Sequence, residues 1–166
     1  MISSDEIVHR LLREDEEVKR AIVERFGKGV LGTDGEIDRE RVGEVVFADP
    51  AELDWLERLL HPLVSAEYLR WRDELARLPE PPAVCVTEVP LLYEVASDGS
   101  FDAVVVITAS PEVRVSRHIR PMQGRERRLL PDEEKAAKAD YVYVNHGSLE
   151  ELDAFVSGVL ANLSAS

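Results

Sequence analysis

Three short, nearly continuous apolar runs constrain the fold of this chain more than any other feature of its sequence. They cover residues 83–89, 103–108 and 141–145 and are rich in β-branched side chains. Uninterrupted runs of this length are typical of strands that are buried on both faces, as in a parallel sheet flanked by helices. The runs therefore predict an α/β fold whose sheet is formed by the second half of the chain.

The sequence before these runs predicts mainly helices. Apolar residues recur at helical spacing through most of the first 78 positions. Gly27 predicts a helix end, Asp38 and Asp49-Pro50 predict helix starts, and His61-Pro62 predicts a break between two helices. We therefore expect several separate helices before the sheet.

Two more helices are expected within the second half. One starts near Pro111 and the other at the capping-box-like sequence 147–151. The sequence contains no internal repeat and no low-complexity linker. We expect a single α/β domain over residues 1–166, with a helical part at about 12–78 and the core sheet and C-terminal helix at 83–166.

The composition excludes several classes of function. Lys and Arg number 20 against 33 Asp and Glu, a net charge of −13, whereas duplex binding needs many basic contacts to phosphates. Aromatic residues make up only 6% of the chain, too few for a platform that stacks single-stranded bases. The single cysteine, Cys85, excludes a disulfide framework and a four-cysteine zinc site, and its apolar neighbours predict a core position. We expect no nucleic-acid partner.

Targeting signals are not found in the sequence. No apolar stretch is long enough to cross a bilayer, and residues 1–6 lack the basic start and apolar run of a signal peptide. No spacing of His, Cys, Asp or Glu predicts a metal site. We therefore expect a soluble cytoplasmic protein with no membrane partner and no metal held by its own side chains.

A cluster of arginines stands out in the otherwise acidic chain. Guanidinium groups at this density could grip phosphates, because their planar fork matches phosphate oxygens. Alternatively, the cluster is a solvated basic face that Asp132, Glu133 and Glu134 balance. The arginines lie at positions 114, 117, 120, 125, 127 and 128, beside His118.

Asp5 and two histidines are the next candidates for a functional site. Asp5 lies where a strand is expected to pass into a helix, so its carboxylate could reach a ligand at the strand's carboxyl end and accept a proton from a hydroxyl. The alternative is that Asp5 caps the helix. His9 follows one helical turn later and shares a face with Asp5, whereas His61 precedes a proline; either histidine could be structural.

The sequence Val89-Pro90-Leu91-Leu92-Tyr93-Glu94 is more specific. Here a buried strand passes directly into an apolar-aromatic loop that ends in a carboxylate. Such a loop follows the carboxyl end of a strand, where α/β sheets usually bind ligands. The alternative is that these residues only cover the core.

Taken in order, these segments resemble the dephospho-CoA kinases. The hexapeptide 89–94 resembles the family's V-P-L-L-[FY]-E motif, and Pro131-Asp132-Glu133-Glu134-Lys135 resembles its P-x-E-E-K motif. The resemblance spans nearly the whole chain and implies the fold of the P-loop kinases. The other similar segments are 2–9, 22–27, 35–39, 46–50, 59–63 and 139–148.

The sequence also departs from the family pattern. The family begins with a strand and a Gly-rich phosphate loop, G-x-x-x-x-G-K-[ST], which does not occur among these 166 residues. The resemblance thus implies that the central, loop-bearing strand is absent from this chain. The lid, from Arg120 to Pro131, is shorter than in the family, with Leu129 in place of Gln. Ser3 replaces the family's first Asp, whereas Asp5 keeps the second.

The resemblance implies a reaction and roles for individual residues. The reaction is phosphoryl transfer from ATP, with Mg²⁺, to the ribose 3′-hydroxyl of dephospho-CoA in coenzyme A biosynthesis. Asp5 would be the catalytic base, Arg120 would lie over the transferring phosphoryl group, and Arg117 and Asn145 would contact ATP. The residues implied for the dephospho-CoA pocket are His9, His61, Pro90, Leu91, Tyr93 and Glu94.

Three hypotheses follow for this chain. The first is a dephospho-CoA kinase, and the second is a non-catalytic remnant that at most binds a CoA-like nucleotide. The third is an acidic interaction module without a ligand, which the ordered motifs disfavour. Without a phosphate loop, the 166 residues are expected to be inactive or nearly so. Self-association could complete the sheet.

Overall fold

A computed structural model describes residues 1–95, 98–116 and 129–165. The described residues group into two compact units, 1–89 and 90–166. The structure is a mixed α/β fold in which small parallel sheets are flanked by helices. The α/β class that the apolar runs predicted is confirmed at this level, and the single domain over all 166 residues stays a prediction.

The first unit is mainly helical, as its sequence predicted. Two short strands lie at the two ends of the unit, and four helices and a 3-10 turn lie between them. The elements are β1 Ile2–Ser3, α1 Ser4–Glu14, α2 Glu16–Phe26, the turn Lys28–Val30, α3 Arg39–Ala48, α4 Pro50–Ala76 and β2 Thr87–Glu88.

Aspartate caps set the starts of three of these helices. Asp15 accepts hydrogen bonds from the backbone N–H groups of Glu17 and Val18. At the start of α3, the Asp38 side chain accepts from two backbone N–H groups of that helix's first turn. Asp49 accepts from the N–H of Ala51 at the start of α4. These bonds satisfy N–H groups that have no partner inside the helix, so the starts predicted at Asp38 and Asp49 are confirmed.

Helix α4 corrects one sequence prediction. It runs without interruption from Pro50 to Ala76 and contains Pro62, where a break was expected. Proline removes one helical hydrogen bond, but Leu60, Val64 and Tyr68 are buried at four-residue spacing on one side of the helix. Packing of this apolar stripe holds α4 together across an exposed proline, because tertiary contacts outweigh a local propensity.

The core of the first unit comes from the helices. α4 packs against α1 and α3, and α1 packs against α2. Gly27, with a φ of 79°, ends α2 in a conformation that suits glycine, so the predicted helix end is confirmed. The buried apolar residues are Ile7, Leu11, Leu12, Val18, Ile22, Val30, Val42, Val46, Leu60, Val64 and Tyr68.

The sheet of the first unit is very short. β1 and β2 are parallel, with Ile2 opposite Thr87 and Ser3 opposite Glu88. The predicted strand 83–89 is therefore wrong over most of its length, and Cys85, predicted in the core, is exposed. Only β1 hydrogen-bonds with this segment in the described chain, so the remaining residues of the run lack a neighbouring strand that would bury them.

The second unit contains the other parallel pair. β3 and β4 pair over four residues, from Val105 opposite Tyr141 to Thr108 opposite Val144. Both strands lie within the predicted runs 103–108 and 141–145. The elements of the unit are the 3-10 turn Asp98–Ser100, β3 Val105–Thr108, α5 Pro111–Ser116, α6 Asp132–Lys138, β4 Tyr141–Val144 and α7 Leu149–Ser164.

Helix α7 is the last element of the second unit. Ser148 and Glu151 form a complete capping box, as the sequence predicted, and the rings of Tyr143 and Phe155 pack with their centroids 5.0 Å apart. β3 and β4 are less buried than predicted, since Ile107 is 53% exposed and Val144 is 46% exposed. Among the described helices of the whole chain, none is long and apolar enough to cross a membrane.

Candidate active site

The candidate residues of the first unit lie at the carboxyl edge of the β1–β2 sheet. β1 ends at Ser3 and is followed at once by α1, in whose first turn Asp5 is exposed. Glu88 pairs with Ser3, so β2 ends at the same edge. Ser3 is the N-cap residue of α1, which shows that the alternative assignment of Asp5 as the helix cap is wrong.

Asp5 and His9 lie on one face of α1. They are four residues apart within the helix, and both are exposed, whereas Ile7 and Leu11 on the other side are buried. Within the described part of the chain, neither side chain makes a hydrogen bond or an ion pair. The helix therefore presents a carboxylate and an imidazole that no described residue engages.

His61 lies on a different helix of the same unit. It is half-buried on α4, which packs against α1. An ion pair between Arg10 and Glu67 links these two helices. The structure thus places His9 and His61 on neighbouring helices.

The candidate residues of the second unit lie at the carboxyl edge of the β3–β4 sheet. Thr108 and Val144 end the two strands side by side. The N–H of Asn145 donates a hydrogen bond to the carbonyl of Thr108, with N and O 2.6 Å apart. Asn145 therefore follows β4 directly, on the side of the sheet where open α/β sheets bind ligands.

Arg114 is engaged by the protein at this edge. Its Nε donates to the carbonyl oxygen of Ala109 at 2.7 Å, and its Nη2 donates to Thr108 Oγ1 at 3.3 Å and to the carboxylate of Asp132. Thr108 Oγ1 in turn donates to Asp132 Oδ2 at 2.6 Å. For Arg114, these contacts agree with the alternative that the cluster is balanced by acidic neighbours.

The remaining residues of the arginine cluster cannot be placed in the same way. Arg120, which was expected to act in catalysis, and Arg117, which was expected to contact ATP, lie outside the described residues. His118, Arg125, Arg127 and Arg128 lie there as well. Their roles remain predictions from the sequence.

The loop 90–94 is held by helix α6. Lys135 Nζ lies 2.6 Å from Glu94 Oε1, and the N–H of Leu130 donates to the same oxygen at 3.1 Å. Tyr93 is buried, and Lys138 Nζ lies 5.6 Å from the centroid of its ring. The sequence indicated the loop but not the lysines that contact it. The resemblance of residues 131–135 to the P-x-E-E-K motif was the one feature that pointed to Lys135.

The electrostatics of the candidate residues in the second unit favour ionised carboxylates. Burial raises the pKa of Glu94, but hydrogen bonds from Lys135 and from the N–H groups of Glu94 and Leu130 outweigh it, so the pKa lies below its ordinary value of 4.5. The hydrogen bond from Thr108 lowers the pKa of Asp132, and Arg114 adds to that effect against partial burial. Both carboxylates are therefore charged at neutral pH.

The described residues do not form a metal cage. In residues 1–95, 98–116 and 129–165, no three His, Cys, Asp or Glu side chains come together in a group that could hold a metal ion. Mg²⁺ in nucleotide-dependent enzymes is usually held by one or two carboxylates together with the substrate's phosphates. These residues therefore do not fit an all-protein Mg²⁺ site, and we assign no step to the metal.

The fold and the candidate residues of each unit define a class. In each unit a parallel strand pair is flanked by helices, and polar candidates follow the carboxyl ends of the strands. This is the arrangement by which open α/β proteins bind ligands. The chain is therefore an α/β protein of the type that binds small molecules at strand ends.

Comparisons with known proteins identify the family within this class. The family model described as "Dephospho-CoA kinase" matches residues 1–151. The dephospho-CoA kinase of Frankia casuarinae is 33% identical and aligns with 99% of this chain and 73% of its own length. That of Thermosynechococcus vestitus is 37% identical, over 92% of this chain and 76% of the relative. The chain belongs to the dephospho-CoA kinase family.

Solved structures agree with this assignment. A crystal structure from Thermus thermophilus is similar with a TM-score of 0.75 and 33% identity, over 98% of this chain and 83% of that protein. The dephospho-CoA kinase of Campylobacter jejuni gives a TM-score of 0.69 at 26% identity, over 99% and 84% of the two chains. The family reaction is the ATP-dependent phosphorylation of the ribose 3′-hydroxyl of dephospho-CoA, a step in coenzyme A biosynthesis. The resemblance found in the sequence motifs is thereby confirmed.

Proposed function

We propose that this protein binds dephospho-CoA and provides the catalytic base for its phosphorylation. The observation that carries the proposal is the position of Asp5. Its carboxylate is exposed in the first turn of α1, directly after the carboxyl end of β1, and is not engaged by the described residues. A carboxylate placed in this way can accept a proton from a substrate hydroxyl.

The proposed chemical step is an in-line displacement. The ribose 3′-oxygen forms a bond to the γ-phosphorus of ATP, and the bond between that phosphorus and the β,γ-bridging oxygen breaks to release ADP. The proton of the 3′-hydroxyl passes to Asp5. Arg120 balances the charge of the transferring group, while Arg117 and Asn145 contact ATP. Mg²⁺ bound together with ATP would neutralise charge on the phosphates, and no described residue is assigned to hold it.

The substrate contacts are proposed separately for the two units. In the first, His9 and His61 contact dephospho-CoA. In the second, Pro90, Leu91 and Tyr93 do so, since an apolar loop suits the methylene and dimethyl groups of the pantetheine arm. We further propose that the reaction takes place in the cytoplasm, where ATP is available as the phosphoryl donor.

We propose that the 166 residues alone bind the substrate but transfer the phosphoryl group very slowly. The phosphate-loop motif that positions the triphosphate does not occur in their sequence. Self-association, or another strand, would complete the parallel sheet. A non-catalytic role, in which the 166 residues bind a nucleotide but transfer nothing, is the second candidate.

Two measurements test this proposal. Isothermal titration should show saturable binding of dephospho-CoA by the 166-residue protein, at an affinity that Asp5→Asn leaves unchanged. Fusion of the opening strand and phosphate loop of a dephospho-CoA kinase to Met1 should then raise kcat well above that of the 166 residues. Absence of binding together with an inactive fusion would contradict the proposed function, whereas binding with an inactive fusion would support the non-catalytic role.

A further inference from the structure

Glu94 and Lys135 form a largely buried ion pair inside the second unit. The Glu94 side chain is 11% exposed and the Lys135 side chain is 17% exposed, with Nζ and Oε1 2.6 Å apart. Long charged side chains are rarely this buried unless they are paired, because desolvating both charges is costly. Removal of one partner would leave the other charge buried and uncompensated.

The Glu94 carboxylate is directed towards α6 and the residues before it. The oxygen that meets Lys135 also accepts the N–H of Leu130, two residues before the helix starts. Glu94 thus fixes both the first residues that lead into α6 and the middle of the helix. Both contacts fall on Oε1, whereas Oε2 is buried and has no hydrogen-bond partner among the described residues, so neither oxygen is exposed to a ligand.

The neighbouring residue of the loop is held by the same helix. Lys138, one turn after Lys135, lies over the ring of Tyr93. At the other end of α6, Asp132 bonds to Thr108 and Arg114. A chain of contacts therefore runs from the carboxyl end of β3, along α6, to the loop 90–94.

We propose that Glu94 and Lys135 are positioning residues that hold the ligand loop 90–93 on α6, and that Glu94 does not itself contact dephospho-CoA. This inference rests on the proposed function, in which Pro90, Leu91 and Tyr93 contact the substrate. The pair sets where those three residues lie relative to the carboxyl end of β3. The loop is therefore organised before the ligand arrives, which lowers the cost of binding.

Dephospho-CoA titrations of matched variants test the proposal. Glu94→Gln and Lys135→Met should each weaken binding roughly tenfold, and the double variant should be no weaker than either single variant, because both remove one interaction. Lys135→Arg should retain binding close to wild type, since it keeps the charge and the donor. Glu134→Gln, on the exposed neighbour of Lys135, is the control and should bind like wild type.

Acidification tests whether the charge on Glu94 is needed for binding. As the pH falls through the range in which Glu94 protonates, dephospho-CoA binding should weaken in the wild type but not further in Glu94→Gln. A Glu94→Gln defect much larger than that of Lys135→Met, with additive effects in the double variant, would show instead that Glu94 contacts the ligand and would overturn the proposal.

Amide hydrogen exchange tests the pair without any ligand. The N–H of Leu130 bonds to Glu94, and the N–H of Val95 bonds to the Leu91 carbonyl within the loop at 3.1 Å. Both amides should lose protection in Glu94→Gln and in Lys135→Met. If the wild type does not bind dephospho-CoA, the proposed function fails and exchange alone decides: lost protection supports the positioning role, and unchanged protection overturns it.

Discussion

Asp5 is the residue on which the proposed chemistry depends most. In the fusion that carries a phosphate loop, Asp5→Asn should lower kcat by about 100-fold or more, because general-base contributions are roughly 10²–10⁴-fold. Dephospho-CoA affinity should change little, since the amide keeps the size of the side chain. Steady-state kinetics of the two fusions measure this.

Glu6→Gln provides the control for this prediction. Glu6 is also exposed in the first turn of α1, so the variant makes the same chemical change next to the proposed base. It should leave kcat near that of the unmodified fusion. A nearly normal kcat in Asp5→Asn would show that Asp5 is not the base.

The carboxylates of Glu94 and Asp132 predict a specific acid sensitivity. Both have a lowered pKa in the folded protein, so their stabilisation is fully present above their ordinary values of 4.5 and 3.8 and is lost as the pH falls through the folded values. Urea unfolding between about pH 7 and pH 3 should show this loss in the wild type. Glu94→Gln and Asp132→Asn should each have a smaller loss, and an unchanged pH profile would contradict the assignment.

At the residue scale, the position of a side chain within its own helix was easier to predict than the distant residue that it contacts. The sequence placed Asp5 and His9 on one helix face, because that depends only on a spacing of four. It could not show that α1 begins directly after Ser3. Nor could it show that Glu94 meets Lys135, because that contact joins residues far apart in the sequence. Asp132 was recognised as a possible balance for the arginines, but its bond to Thr108 was not.

At the scale of elements, Pro62 is the residue whose effect is easiest to measure. Pro62→Ala should raise the free energy of unfolding by about 1–3 kcal/mol, because alanine restores the missing hydrogen bond and proline is about 3 kcal/mol less favourable inside a helix. Pro62 is exposed, so no core contact is lost. Urea unfolding with Arg58→Ala, another exposed position of α4, as the control measures the difference.

An unchanged stability of Pro62→Ala would be equally informative about α4. If Pro62→Ala is no more stable than wild type, the helix is interrupted at His61-Pro62 in solution, as the local sequence suggested. The helix starts were predictable because capping involves only neighbouring residues, such as Asp49 and Ala51. The continuity of α4 was not, since it depends on α1 and α3 packing against its buried stripe.

At the scale of the whole molecule, exposed apolar strands and a large net charge act against each other. Val105, Ile107, Val142 and Val144 are between 38% and 53% exposed, while the net charge of −13 opposes association. Raising the salt concentration from about 0.05 M to about 0.5 M should therefore promote self-association, since it screens the repulsion. Sedimentation velocity measures the change.

Replacement of one strand residue distinguishes association through the exposed strands from non-specific hydrophobic association. Ile107→Thr should reduce the salt-induced association, whereas Val115→Thr should not, although Val115 on α5 is 70% exposed. Equal effects of the two variants, or a monomer at every salt concentration, would contradict self-association through the strands.

The α/β class followed from the apolar runs alone, but the extent of the strands did not. An uninterrupted apolar run such as 83–89 indicates that a buried strand can form there. The length of the strand that does form depends on the neighbouring strands with which it pairs. In the first unit only two residues of each strand pair, so most of that run is not a strand. The family assignment, in contrast, was available from motifs, because it requires residue order and not contacts.

The β1–β2 pair also determines the order in which the first unit can fold. Its strands lie at opposite ends of the unit's sequence, with all four helices between them, and each contributes only two residues. Closing so long a loop costs entropy that so few hydrogen bonds do not offset, so helices with local contacts form first. Ile2 and Ser3 are also synthesised long before Thr87 and Glu88. They therefore remain unpaired throughout the synthesis of the unit, and its folding finishes at the edge where Asp5 lies.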